Sequence, residues 1–314
     1  MNHLLQISDL TRAQIESLID RAEFFRTHCS VGYPIHLESG KENAEKSPLG
    51  LLFCENSTRT RVSFELAGRT LGIPVINLNV EMSSVQKGES LQDTVQTLEA
   101  MGIQCFVIRH SQDGIPAEMA KIVKENTHII NAGDGQHAHP TQALLDMMTL
   151  HQHKKSVEHL SVGILGDSLH SRVAKSDAAA LKCLGCRDIR LIGPKSWLMS
   201  VVDEESVSVW HDDAGLKDLD VVITLRVQKE RMKETELADL DDYIQQYQLN
   251  SKRLAQCKPN VLVMHPGPIN RGVEIDPIVA DGAHSAILQQ VRNGVMMRMA
   301  VIEALACFKQ HEGV

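Results

Sequence analysis

The sequence predicts an α/β protein built from two doubly wound parallel-sheet domains with helices on both faces. Three observations carry that reading. From residue 50 onward, short apolar runs alternate with segments of helical period, the pattern of parallel strands joined by crossover helices. The alternation restarts after a helix containing Thr141–His151, so the pattern is written twice. A length of 314 residues suits two domains of ordinary size.

The elements follow in order. Thr11-Arg12-Ala13-Gln14 is a capping box, and Ile15, Leu18, Ile19, Ala22 and Phe25 then recur at helical spacing, so an amphipathic helix opens the chain. The stretch to Ser47 is polar and irregular. Strands are predicted at Gly50–Phe53, Pro74–Leu78, Cys105–Ile108 and His128–Asn131, with helices at Arg59–Leu71, Leu91–Met101 and Gly114–Glu125. In the second half, strands are predicted at Ser161–Leu165, Ile189–Ile192, Val221–Leu225 and Val261–Met264, with helices at Ser171–Leu184 and near Ala238–Leu249. The closing helix, Val291–Phe308, carries Val295, Met299, Ile302 and Ala306 on one face and is expected to pack back on the first half. The expected domains are therefore 1–140 plus 291–314, and 141–290.

Composition narrows the function. The net charge of −8 argues against nucleic acid, which favours a basic face. No apolar run approaches the roughly 20 residues that span a bilayer, and no basic-then-apolar leader opens the chain, so a cytoplasmic protein without a membrane partner is expected. Seven cysteines fit reduced thiols better than a disulfide framework. Cys183-Leu184-Gly185-Cys186 has no second cysteine pair, and Gly185 reads as a helix C-cap. The pairs His137/His139 and His151/His153 are spaced i,i+2, and no cysteine or acidic partner completes a tetrahedral set, so neither a metal nor a cofactor is predicted.

The chemistry starts at Ser57-Thr58-Arg59-Thr60-Arg61. An apolar strand precedes these residues and a helix follows, so free N–H groups and the positive end of the helix dipole converge there. Three hydroxyls and two guanidiniums add donors suited to phosphate oxygens. Serine and threonine are ordinary N-caps, but a cap needs no such density of cations. In parallel α/β sheets ligands sit beyond the carboxyl ends of strands, so the other polar segments after strands are the next places to search. These are Ser83–Glu89 with Lys87, Arg109-His110, Gly133-Asp134-Gly135, His139-Pro140-Thr141-Gln142, Gly166–Arg172, Arg226–Arg231 and His265-Pro266-Gly267-Pro268. Singly, each has a plain explanation: Arg109 a surface arginine, His139 a helix cap, Lys87 a solvated loop residue. Gly166-Asp167 lacks the Gly-x-Gly-x-x-Gly spacing, which discounts a dinucleotide. Their coincidence at strand ends, with cations from both halves, is the signal. Asp134, Glu55 and Glu89 read as residues that orient arginines, and His137 and Lys229 as having no direct role.

Ser57–Arg61, His139–Gln142, Arg226–Arg231 and His265-Pro266-Gly267-Pro268-Ile269-Asn270-Arg271-Gly272, in that order, make the chain resemble the catalytic chains of aspartate carbamoyltransferases, and more broadly the carbamoyltransferases. The resemblance runs from near the N-terminus to the final helix. The His-Cys-Leu-Pro turn and Asp-x-x-x-Ser-Met-Gly loop expected of an ornithine enzyme are missing.

The resemblance implies transfer of a carbamoyl group from carbamoyl phosphate to L-aspartate, by direct attack and without a covalent enzyme intermediate. It implies that Ser57, Thr58, Arg59 and Thr60 surround the phosphate, and that Thr60, Arg109 and His139 meet the carbonyl oxygen, where charge grows in the tetrahedral state. Arg59, Thr60, Arg109 and His139 are thus the expected catalytic residues. Gln142 and the carbonyls of Gly267 and Pro268 would accept from the carbamoyl NH2. Arg172 and Arg226 would hold the aspartate carboxylates, supported by Gln228, and Lys87 would also serve aspartate. Ser83 and Lys87 would come from the neighbouring subunit of a homotrimer, which could join regulatory or dihydroorotase-like chains. The alternatives are another amine acceptor, such as ornithine, or an inactive carbamoyltransferase-like scaffold.

Overall fold

Four short apolar segments of the first half form strands in the computed structural model: β1 (Leu49–Phe53), β2 (Val75–Asn79), β3 (Cys105–His110) and β4 (His128–Asp134). The structure describes residues 1–34, 47–79, 89–200, 205–228 and 240–307. The strands are all parallel, in the order β2-β1-β3-β4. Strands β1, β3 and β4 are buried along nearly their whole length, as strands covered on both faces should be, although β3 and β4 carry the buried polar residues Arg109, His128, Asn131 and Asp134. Leu4 adds a bridge beside β4, its N–H donating to the Ile129 carbonyl at 2.9 Å.

Helices α1 (Arg12–His28), α2 (Thr58–Thr70), α3 (Leu91–Ala100), α4 (Ile115–Ile122) and α5 (Pro140–Lys154) follow in chain order. The capping box at Thr11 and Gln14 is present, and all five periodic apolar residues of α1 are buried. Helix α2 lies tight against the sheet at Gly68, where a Cβ would sit 2.6 Å from Val75 Cγ2 and 3.3 Å from Leu49 Cδ2. Valine in a strand has little rotamer freedom with which to yield. Gly68→Ala is therefore expected to destabilise the protein by about 1–3 kcal/mol, despite alanine's better helix propensity, and a urea midpoint no lower than that of the unaltered chain would contradict it.

The second sheet has five parallel strands, β5 (Ser161–Leu165), β6 (Asp188–Ile192), β7 (Val207–Trp210), β8 (Val221–Thr224) and β9 (Leu262–Met264), in the order β7-β6-β5-β8-β9. Its helices are α6 (Arg172–Cys183), α7 (Leu240–Tyr247), α8 (Ser251–Leu254), α9 (Pro277–Ala280) and α10 (Ile287–Ile302). Strand β7 was not predicted; it is a four-residue edge strand with Ser208 and Val209 exposed, so it carries no clean apolar run. Gly185 ends α6 at φ 89°, as its C-cap reading requires. The six described cysteines with described side chains are free thiols.

The chain divides into two compact units, Met1–Met148 with Val291–Val314, and Thr149–Gln290. The divisions fall within α5 and within α10. The C-terminal part of α10 thus packs in the first unit, where Arg298 lies over the Phe64 ring and Arg21 makes a bidentate pair with buried Glu303 at 2.5 and 2.6 Å. Val295, Met299 and Ile302 face inward as expected, but Ala306 does not. A π turn over Glu303–Cys307 shifts the phase, and Leu305 takes the buried place.

The two strand orders share one property. In the first sheet the chain runs from β1 to β2 on one side, then crosses to β3 and β4 on the other. In the second it runs from β5 through β6 to β7, then crosses to β8 and β9. Loops leaving β1 and β3 therefore diverge, as do those leaving β5 and β8, and each divergence opens a crevice at the carboxyl edge.

Candidate functional site

The crevice of the first unit is flanked by the two segments richest in donors. On the β1 side, Ser57 is the N-cap of α2, in extended backbone (φ −159°, ψ 94°), and its hydroxyl makes no capping bond. Thr58, Arg59 and Thr60 form the first turn, whose N–H groups have no intrahelical partners by geometry. Thr60 is buried, while Thr58, Arg59 and Arg61 are exposed. On the β3 side, Arg109 is the register partner of Phe53, and its carbonyl accepts from the Cys54 N–H at 2.9 Å. Its side chain is buried and held at both ends of the fork, one nitrogen donating to the Ala132 carbonyl at 3.1 Å and the other to Glu55 Oε1 at 3.3 Å. Glu55 thus orients an arginine, as expected. His110, next along, is held neutral: burial pushes its pKa below the ordinary histidine value, and its Nδ1 accepts from the Gln112 N–H at 3.0 Å.

The end of β4 supplies the third wall. Asp134 does not orient an arginine through any bond seen here, which corrects the expectation. Its buried carboxylate accepts instead from Asn131 Nδ2, the Ala138 and Gly114 N–H groups, and His137 Nδ1, at 2.7–3.1 Å. It is the pin of the loop that leads to His139. Gly135 in that loop has φ 41°, and a Cβ there would collide with Asp113 Oδ1. His139 heads α5: its carbonyl accepts from the Gln142 and Ala143 N–H groups at 3.0 and 3.3 Å, and its side chain is buried. The helix-cap reading of its backbone is thus correct. Gln142 lies three residues on, the spacing that shares a helix face. Two helix N-termini, those of α2 and α5, thus stand at one sheet edge with Arg59 and Arg109, and all favour an anion there.

The crevice of the second unit is flanked by Arg172 and Arg226. Arg172 opens α6 behind the Ser171 cap, which accepts from the Ala174 N–H at 3.2 Å, and is buried. Asp167 orders the loop before it by accepting from the His170 N–H and Nδ1, each at 3.1 Å. The Leu225 N–H donates to the Leu165 carbonyl at 2.8 Å, so the segment bearing Arg226 leaves the sheet directly beside the end of β5. Arg226 and Gln228 are half-buried.

A buried carboxylate that the sequence reading missed joins this segment to the turn after β9. Glu274, fully buried, accepts from the Val227 N–H (3.4 Å), the Asn270 N–H (2.6 Å), Asn270 Nδ2 (3.1 Å) and His265 Nε2 (3.1 Å). His265 Nδ1 accepts from the Gly267 N–H at 2.8 Å, so its proton must sit on Nε2, facing Glu274. The Gly267–Pro268 bond within this turn is cis. One carboxylate therefore spaces the Arg226–Gln228 segment from the Gly267–Pro268 carbonyls.

The expected residues thus separate by unit. Ser57, Thr58, Arg59, Thr60, Arg109, His139 and Gln142 stand at the carboxyl edge of the first sheet, and Arg172, Arg226, Gln228, Gly267 and Pro268 at that of the second. Ser83, Lys87, Lys229, Glu230 and Arg231 lie outside the described residues.

The family model described as the carbamoyl-phosphate-binding domain of aspartate/ornithine carbamoyltransferases matches residues 2–152, and that of their aspartate/ornithine-binding domain matches residues 158–305. The chain belongs to the aspartate/ornithine carbamoyltransferase family. Within it, the chain is 50% identical over 305 residues to an aspartate carbamoyltransferase catalytic subunit of Legionella pneumophila, covering 97% of this chain and 99% of that one. An aspartate transcarbamoylase of Trypanosoma cruzi, solved with carbamoyl aspartate and phosphate, is 30% identical with a TM-score of 0.82, over 96% of this chain and 94% of that one. An ornithine carbamoyltransferase of Pyrococcus furiosus reaches a TM-score of 0.84 at 24% identity over 98% of each chain, a likeness of fold. As in any carbamoyltransferase, the acyl donor and the amine acceptor need separate recognition, and the two crevices carry different donor sets. Among the described residues no helix is long and apolar enough to cross a membrane.

Proposed function

We propose that the chain transfers the carbamoyl group of carbamoyl phosphate to the amine of L-aspartate, giving N-carbamoyl-L-aspartate and phosphate. The observation that carries the choice of acceptor is the pair Arg172 and Arg226, on segments leaving adjacent strands β5 and β8. Two guanidiniums match two carboxylates, whereas ornithine would bring a second ammonium to the same place. Gln228 adds a neutral donor beside them.

In this reading the phosphate of the acyl donor rests on the α2 N-terminus, with Ser57, Thr58, Arg59 and Thr60 as donors. Thr60, Arg109 and His139 donate to the carbamoyl oxygen as the deprotonated amine adds to the carbon; that oxygen then reforms its double bond, the carbon–oxygen bond to phosphate breaks, and the departing phosphate takes up the proton that the new nitrogen sheds. Gln142 and the carbonyls of Gly267 and Pro268 accept from the NH2. Positioning two substrates in this way supplies several kcal/mol of the barrier reduction, so no covalent enzyme intermediate is required. The identity of the Legionella relative supports the same acceptor and, through its name, a role in pyrimidine synthesis; the enzyme is taken to be cytoplasmic. A homotrimer in which Ser83 and Lys87 reach a neighbour's site, alone or joined to further chains, is the assembly the family resemblance favours.

The test is direct. Incubated with carbamoyl phosphate, the purified chain is expected to form a ureido product with aspartate and none with ornithine. Product with ornithine alone would overturn the acceptor, and product with neither would favour a scaffold.

A further inference from the structure

We infer that Asp146 is a positioning residue that selects a carbamoyl over an acetyl donor, by holding the Gln142 amide with its oxygen toward the substrate. The inference rests on the reading above that Gln142 meets the carbamoyl NH2.

The two residues are one helical turn apart on α5. Gln142 Nε2 lies 3.1 Å from Asp146 Oδ1 and 3.2 Å from Oδ2. A carboxylate only accepts, so the NH2 end of the Gln142 amide must face Asp146 and Oε1 must take the opposite end. Gln142 is itself 8% exposed and Asp146 0%, so water does not compete for this contact. The amide cannot turn without setting a carbonyl oxygen against a carboxylate.

A buried carboxylate stays charged only if something offsets it. Arg298, from α10, does so: it is 4% exposed, and electrostatic attraction to Asp146 opposes the cost of its burial. That burial pushes its pKa down to about 10, which leaves it charged at neutral pH. The guanidinium is fixed by a bond to the Gly294 carbonyl at 3.0 Å and by the Phe64 ring, 5.1 Å from its centroid. Arg298, Asp146 and Gln142 thus form a relay whose last atom is an acceptor.

An acceptor there distinguishes two donors of nearly equal shape. Carbamoyl phosphate presents an NH2 group, and acetyl phosphate presents a methyl group in its place. The phosphate and carbonyl ends of the two are the same. Only the first repays Oε1 for losing water, and a turned amide would set NH2 against NH2.

The experiment compares Asp146→Asn, Asp146→Ala and Gln142→Ala with the unaltered chain, using carbamoyl phosphate and acetyl phosphate as donors to aspartate and measuring phosphate release. In Asp146→Asn the new carbonyl is drawn to Arg298, its NH2 faces Gln142, and the Gln142 amide turns. The kcat/KM ratio of carbamoyl to acetyl donor is expected to fall about tenfold, the size of one lost hydrogen bond, with acetyl phosphate itself changed less than about threefold. If acetyl transfer is too slow to follow, acetyl phosphate is read as a competitive inhibitor and the ratio becomes Ki over KM. Equal losses with both donors, or a ratio unchanged in Asp146→Asn while Gln142→Ala lowers it, would overturn the role of Asp146. An unchanged ratio in Gln142→Ala would instead overturn the placing of Gln142. Asp146→Asn keeps the shape of the buried side chain, so the outcome stands even if Asp146→Ala does not fold.

Discussion

Replacing Arg109 with methionine is expected to lower kcat by about 100- to 1,000-fold, the usual cost of removing one donor from a developing oxyanion. The residue is suited to that role because it does not move to perform it. Its fork is fastened to the Ala132 carbonyl and to Glu55, its backbone is in register with the end of β1, and its side chain is buried. A donor fixed before the reaction costs no reorganisation when charge appears, and from a buried side chain its attraction is less screened than in water. Methionine keeps much of the length and apolar contact, so the loss should fall on turnover while the urea midpoint moves modestly. Lysine should recover only part of it, because an ammonium is a point charge without the planar fork that Glu55 and Ala132 hold. A kcat within tenfold of the unaltered chain, with carbamoyl phosphate saturating, would remove Arg109 from the oxyanion.

Much of this site was legible in the order of residues, and the reasons are local. A capping box, a strand that turns into a helix, and a proline at the first turn of α5 are each decided within a few positions, so Thr11, Ser57 and His139 fell where they were expected. What could not be read was strand order. Nothing in the spacing of Ser57 and Arg109, or of Arg172 and Arg226, says that their strands are neighbours at a switch point; that follows from which strands pair. The arginines gained their significance from topology.

The errors share a cause. Acid beside base is the obvious pairing along a chain, so Asp134 reads as a partner for arginine, but three of its four bonds go to Asn131 on its own strand and to His137 and Ala138 in the next loop, and only the one from the Gly114 N–H is brought to it by folding. Ala306 was placed on a buried face by a constant helical period, which the π turn interrupts. Asp146 was visible as the residue four beyond Gln142, yet the cation that keeps it charged arrives from the far end of the chain. Contacts made only through tertiary structure, such as Gly114 with Asp134 or Arg298 with Asp146, leave no periodic trace in the sequence.

Glu274→Ala is expected to cost about 3–5 kcal/mol of stability, the range for stripping one partner from a buried ionic or strongly hydrogen-bonded cluster. The carboxylate is fully buried and accepts from four donors, two of them on Asn270. Alanine takes the acceptor from all four in a buried site; Asn270 Nδ2 keeps its bond to the Val227 carbonyl at 2.9 Å, while the two backbone N–H groups and the imidazole lose the acceptor described for them. The His265 imidazole suffers twice, since its Nδ1 is committed to the Gly267 N–H and its Nε2 proton then has nowhere to go. Glutamine is the sharper comparison: its one oxygen can take either the Asn270 N–H and the imidazole N–H, which share Oε1, or the Val227 N–H and Asn270 Nδ2, which share Oε2, and its NH2 then faces the other pair, so a loss of about 1–3 kcal/mol remains. Because Val227 sits between Arg226 and Gln228, the folded fraction of either variant should also show a raised KM for aspartate, with KM for carbamoyl phosphate moved less. The two readouts separate the possibilities. A lowered urea midpoint with aspartate KM unchanged would confine Glu274 to holding the turn after β9, and a midpoint unchanged in Glu274→Ala would mean that these donors find water and that the carboxylate holds nothing.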